Sequence, residues 1–128
     1  MELMAADNVT NLLQSYLDVQ SLRSQVVAEN IANADTPGFV AKQVEFNDFL
    51  NEAALQSSLP SSRQSQTGSA HGLRVVEQEA TVIGLDGNTV DMGREMAEMA
   101  QAGSSFNFGA KMLQSRLRLL RTAIREGK

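Results

Sequence analysis

Apolar residues recur at spacings of three and four near both ends of the chain but not in its centre, which predicts two long helices joined by an irregular middle. In residues 1–34 the stripe is Val9, Leu12, Leu13, Tyr16, Leu17, Val27 and Ile31, and Val19, Leu22 and Val26 widen it into a second face. So broad an apolar sector must meet more than one neighbour. Asp7 or Asn8 is placed to cap this helix. Its end is marked more sharply. Thr36 precedes proline and is steered away from helical geometry, and Pro37-Gly38 suits the central positions of a type II turn, so the helix is expected to stop between Asn33 and Asp35.

Beyond the turn, Val40, Lys42, Val44 and Phe46 alternate with Phe39, Ala41, Gln43 and Glu45, the period of a short extended segment. From Asn51 to Gly72, Ser and Gln dominate and leave too little apolar surface to offset ordering entropy, so this stretch is expected to be mobile. Leu73–Leu85 has room for one or two short strands around Val75, Val76, Val82 and Ile83.

The C-terminal pattern is the most regular. Met92, Met96, Met99, Gly103, Phe106, Ala110, Leu113, Leu117, Leu120 and Ile124 alternate spacings of four and three, the seam of a coiled coil. Asp91 is the natural N-cap, and Glu95 in the first turn complements the helix dipole. Gly93, Gly103 and Gly109 are expected to weaken the helix, each by about 1 kcal/mol relative to Ala. The organisation is therefore an N-terminal helical segment (1–34), a turn with short extended pieces (35–90) and a C-terminal helix (91–128), with the terminal helices forming one mainly α domain. A lone pair of such helices buries little apolar surface for its length, so its order is expected to depend on packing against other copies or partners.

Composition narrows the chemistry. The 128 residues include no Cys, no Trp and one His, which excludes disulfides and leaves a multi-His metal site or a His-based triad without the residues it needs. The net charge is −4, so the chain lacks the broad basic footprint of a nucleic-acid-binding protein. No cleavable signal is evident at the N-terminus, and no apolar run approaches the roughly 20 residues of a membrane span. Charge is unevenly spread. Residues 1–34 carry four acids against Arg23, and residues 111–128 carry six basic residues against Glu126, which suits pairing of the N-terminal helix with the C-terminal one, with two ordinary solvated faces as the alternative.

His71 stands alone in the Ser/Gln-rich region, and Asp86-Gly87-Asn88 lacks the spaced acids of a calcium loop and reads as a tight turn leading into Asp91. Arg118, Arg121 and Arg125 beside the seam suit the flanks of a coiled coil, with phosphate or anionic-surface contact as the functional alternative. A cytosolic coiled-coil adaptor or regulator using that basic helix is accordingly the rival reading of the whole chain. Catalysis finds no convergent polar constellation, and no enzyme or cofactor is expected.

One run is far more specific. Leu22-Arg23-Ser24 and then Ala28-Glu29-Asn30-Ile31-Ala32-Asn33-Ala34-Asp35-Thr36-Pro37-Gly38-Phe39 resembles the N-terminal signature of bacterial flagellar rod and hook proteins, N-I-A-N-x-x-T-P-G followed by Tyr or Phe. Asp86 to Asp91, Arg94-Glu95-Met96-Ala97 and Leu119 to Ile124, with the short length, are similar to the short proximal rod members. The chain departs from that family at Gly103-Ser104-Ser105-Phe106, where bulkier residues are usual. The resemblance implies a structural subunit of the basal-body rod, located in the periplasm and exported uncleaved by the flagellar type III apparatus. Its implied partners are other copies of itself, neighbouring rod proteins, the MS-ring, the adaptor protein FliE and the export gate, with no nucleic acid and no direct membrane span. The signature residues Asn30, Ile31, Ala32, Asn33, Thr36, Pro37, Gly38 and Phe39 would shape the exit from the first helix. Val9, Leu12, Leu13, Tyr16, Leu17 and Val27 would pack on Met92, Met96, Met99, Phe106, Leu113, Leu117, Leu120 and Ile124 within or between subunits.

Overall fold

A computed structural model describes residues 2–46 and 73–127. The order is α1 (Glu2–Ala32), β1 (Lys42–Glu45), β2 (Arg74–Glu77) and α2 (Met92–Glu126), a mainly α architecture with one small antiparallel ribbon. The two helices run antiparallel, Asn30 of α1 meeting Glu95 of α2 and Tyr16 meeting Gly109 further along. The ribbon sits at the end where α1 leaves and α2 enters, with Lys42 opposite Glu77 and Val44 opposite Val75.

Several elements follow their local signals. Asp91 caps α2, its carboxylate accepting from the Arg94 N–H at 3.2 Å. Gly38 has φ 71°, and the Phe39 N–H returns to the Thr36 carbonyl at 3.3 Å, which is the type II turn that Pro37-Gly38 predicts. The first helix starts at Glu2, so Asp7 and Asn8 lie inside it and neither caps it. It closes at Ala32, one residue before the expected window, although Asn33 still donates to the Glu29 carbonyl at 3.1 Å. Val75 and Val76 form β2, but Val82 and Ile83 are exposed and irregular. The Asn51–Gly72 expectation, His71 included, falls outside the described residues.

The interface between the helices differs from the predicted seam. On α2 the buried residues are Glu95, Ala102 and Gly109, one heptad apart. At 100° per residue the two columns of the apolar seam lie about 60° and about 100° round the helix from that line. Met92, Met96, Phe106, Leu117 and Ile124 are consequently exposed, while Met99, Leu113 and Leu120 are only half-buried. On α1 the interior face is Val19, Gln20, Val26, Val27 and Asn30, whereas Val9 and Leu12 are exposed and Leu13, Tyr16, Leu17 and Ile31 half-buried.

The reason is steric. A Cβ at Gly109 would stand 2.9 Å from Tyr16 Cδ1 and 3.0 Å from Leu17 Cδ2, so α1 approaches α2 over its smallest residues. Periodicity identified an apolar stripe; size decided which stripe faces α1. Gly109 thus contributes close approach, where the sequence pattern suggested only a weakened helix, and α2 runs unbroken through Gly103 to Phe106. The ion pair between the helices is local and opposite in sign to their overall charge: Arg23 of α1 pairs with Glu98 of α2 and reaches Gln101 at 3.5 Å. In the antiparallel register the basic tail lies opposite the beginning of α1, well away from Glu98.

Candidate functional site: the elbow between the helices

The junction of α1, the ribbon and α2 is built on two buried asparagines. Asn30 is fully buried. Its Nδ2 donates to the Lys42 carbonyl at 2.7 Å and to Glu95 Oε2 at 3.1 Å, and its Oδ1 accepts the Lys42 N–H at 2.9 Å. Across the ribbon, Gln78 donates to the Ala41 carbonyl at 2.8 Å, so antiparallel geometry turns the backbone of Lys42 to the outer edge. One primary amide satisfies both groups exposed there. Asp would lose the donor, and Leu would lose both functions.

Asn88 does the corresponding work at the end of α1. Its Nδ2 donates to the carbonyls of Asn33, Ala34 and Thr36 at 2.9, 2.9 and 2.8 Å. Two hydrogens serve three acceptors, so one is shared. The carbonyls of Asn33 and Thr36 also accept the Thr36 and Phe39 N–H groups, at 3.0 and 3.3 Å, so Asn88 adds a second donor to a turn that is already hydrogen-bonded. Asn88 is itself fixed from both sides: its N–H donates to Asp86 Oδ1 at 3.1 Å, and its Oδ1 accepts the Val90 N–H at 2.8 Å. Locally, Asn33 Nδ2 donates to the Glu29 carbonyl at 2.9 Å and Thr36 Oγ1 to Asn33 Oδ1 at 3.1 Å.

Backbone bonds sew the two turns together. Gly38 donates to the Asp86 carbonyl at 2.9 Å and Thr89 to the Phe39 carbonyl at 3.0 Å, while the Ala41 N–H reaches Thr89 Oγ1 at 2.9 Å. Gly87, at φ 80°, comes close enough that a Cβ there would lie 3.7 Å from Gly38 Cα. On the outer side Lys42 Nζ pairs with Glu29 at 3.2 Å.

The polar groups here are spent on holding backbone. A cleft of about 110 Å³ beside Asn30 is bounded by Arg23, Val27, Lys42, Phe46, Arg94 and Glu95. Buried Glu95 Oε1 finds no hydrogen-bond partner among the described residues. Those residues hold no group of three or more His, Cys, Asp or Glu able to bind a metal ion, and no helix among them is long and apolar enough to cross a membrane.

Of the residues singled out in the sequence, the structure brings together Asn30, Asn33, Thr36, Gly38 and Phe39, with Ile31 half-buried beside them and Ala32 and Pro37 at the surface. Of the seam positions, Val27 is buried and Tyr16 and Leu17 lie against α2 at Gly109, whereas Val9, Leu12, Met92, Met96, Phe106, Leu117 and Ile124 are exposed. Sequence reading missed Asn88, Thr89 and the inward role of Glu95. The only signal was the clustering of Asp86 to Asp91 next to a helix start, which does not say what those side chains reach.

The family model described as "Flagella basal body rod protein" matches residues 15–39, the half of α1 and the turn that build one side of this elbow. The flagellar basal body rod protein FlgB of Aeromonas hydrophila is 31% identical over 93% of this chain and 94% of that protein. The chain belongs to the FlgB family. FlgB of Salmonella typhimurium is 29% identical over 94% of this chain and 96% of its own length, and FlgB of Bacillus subtilis 28% identical over 91% and 92%. Because the FlgB likeness runs over nearly the whole chain, it takes in both strands of the elbow, the 30–46 side and the 73–95 side.

Proposed function

We propose that this FlgB-family chain is a structural subunit of the proximal rod, polymerising through its terminal helices on the periplasmic stretch of the basal body and helping to join the MS-ring and export gate to the rest of the rod. FliE and neighbouring rod proteins are its partners alongside its own copies. The terminal helices act as one assembly domain, and residues 35–46 and 73–90 supply the elbow.

The observation that carries this reading is the mismatch on α2: its longest apolar stripe is turned away from α1. Leu117 is 50% exposed and Ile124 71% exposed, although both occupy seam positions of a sustained heptad. Contiguous exposed apolar side chains on a small protein mark a surface that another protein covers. The elbow meanwhile fixes the angle between the helices through hydrogen bonds to backbone, which suits a subunit that must repeat one shape.

Leu117→Asp tests the reading. Because Leu117 is half exposed, the substitution should change the stability of the isolated chain by no more than about 0.5 kcal/mol, measured by urea denaturation, while abolishing rod assembly and swimming. Normal motility with the variant present in basal bodies would defeat it.

A further inference from the structure

The two ends of the molecule carry opposite charge, and each presents apolar side chains that are exposed among the described residues. At the elbow, residues 29–46 and 73–95 contain eight acids (Glu29, Asp35, Glu45, Glu77, Glu79, Asp86, Asp91, Glu95) against Lys42, Arg74 and Arg94, a balance of −5. At the far end, residues 109–127 contain five basic residues against Glu126, and residues 2–17 add Glu2 and Asp7, a balance of +2. From Glu95 to Ile124 the helix rises roughly 44 Å at 1.5 Å per residue. The Debye length at physiological salt is about 8 Å, so the ends cannot neutralise each other within one molecule. Lys111, Arg118, Arg121 and Arg125 are exposed and form no ion pair among the described residues.

The apolar side chains coincide with these charges. Between β2 and α2 the chain exposes Val82, Ile83 and Leu85, Ile83 at 70% and Leu85 completely. They are not on a loose strand: Gly84 donates to the Asn88 carbonyl at 2.8 Å and Gly87 to the Gly84 carbonyl at 2.9 Å, tying the loop to the asparagine that closes α1. The basic tip exposes Leu117, Leu119 and Ile124 among its arginines.

We propose that the elbow of one copy seats the basic tip of α2 from a second copy, end to end, with Val82, Ile83 and Leu85 against Leu117, Leu119 and Ile124 inside a surround of opposite charge. The inference rests on the subunit reading above and deepens it by naming the two surfaces. The contact is heterologous, joining two different patches, so it leaves a free elbow and a free tip after every addition and does not close on itself. The charge surround selects this arrangement over elbow-to-elbow or tip-to-tip pairing, in which like charges would meet.

The chain contains no cysteine, which makes the contact directly testable. Full-length Ile83→Cys and Leu119→Cys copies, one of them tagged, are expressed together in cells lacking the native copy and treated with a short bismaleimide. A several-fold excess of the mixed elbow–tip dimer over either like pair is expected, and the pair Leu85→Cys with Ile124→Cys should behave the same way. Glu79→Lys or Arg121→Glu alone should reduce the mixed product from the first cysteine pair, and the two together, in opposite copies, should restore it. Equal yields of mixed and like pairs, or coupling of the elbow cysteine to a different protein, would overturn the proposal. Purified basal bodies separate the two levels of the argument: absence of the chain there defeats the subunit reading, and its presence there without mixed dimer defeats only this contact.

Discussion

The elbow and the shaft of this molecule are held by different forces. At the elbow, Asn30 and Asn88 bind backbone groups of segments that lie far away in sequence, and buried apolar surface is modest. Along the shaft the helices meet over small residues and an ion pair, and the larger side chains Phe106, Leu117 and Ile124 stay exposed. A polar junction of this kind has one satisfied geometry, because each donor must find its acceptor. A half-covered apolar shaft accepts whatever neighbour completes it. Shape is therefore specified at the elbow and association along the helices and their tips.

The comparison can be broken most forcefully at Asn30. Asn30→Ala strands the Lys42 N–H, the Lys42 carbonyl and one Glu95 oxygen; at about 1–3 kcal/mol for each buried group left unpaired, stability should fall by about 3 kcal/mol or more. Urea unfolding followed by circular dichroism measures it, and a loss near zero would show that the amide is ornamental. Next comes Gly109→Ala, where a gain of about 1 kcal/mol in helix propensity meets an overpacking cost of about 1–3 kcal/mol against Tyr16 and Leu17. A net loss of about 1 kcal/mol is expected from the same unfolding measurement.

Gly103→Ala sharpens that result by its opposite sign. A Cβ at Gly103 meets nothing within 4 Å, so stability should rise by about 0.5–1 kcal/mol. If both glycine variants were stabilising, the close approach at Gly109 would be refuted. The smallest effect belongs to Arg23→Ala, which removes a partly solvated ion pair with Glu98 and should cost no more than about 1 kcal/mol. A double-mutant cycle with Glu98→Ala reads the coupling directly.

Much of the fold was legible in the sequence because it is governed by local rules. The cap at Asp91, the turn at Pro37-Gly38, the short strands and the long reach of α2 all follow from residues within a few positions of each other. The start of α1 was misplaced because good cap residues at Asp7 and Asn8 also occur inside helices, and a cap signal says nothing about whether a helix has already begun. The seam is a different case, because the sequence left open whether it packs within or between subunits. Heptad periodicity reports that a stripe will be covered, and it carries no information about whether the cover comes from the same chain. Half of the elbow was legible as a motif, the run from Asn30 to Phe39, but its partners Asn88 and Glu95 were not. Their identity depends on contacts spanning 52 to 65 residues, which no local pattern encodes.

That separation in sequence also sets an order of events. Helical turns form on their own in about 0.1–1 μs, but the amide that closes the end of α1 arrives from position 88, as much as 55 residues downstream of the carbonyls it serves. Contacts of such separation form late, after the intervening chain has been drawn together. The two helical rods are therefore expected to form before the bend between them, which is the last part to set and needs the chain through residue 88.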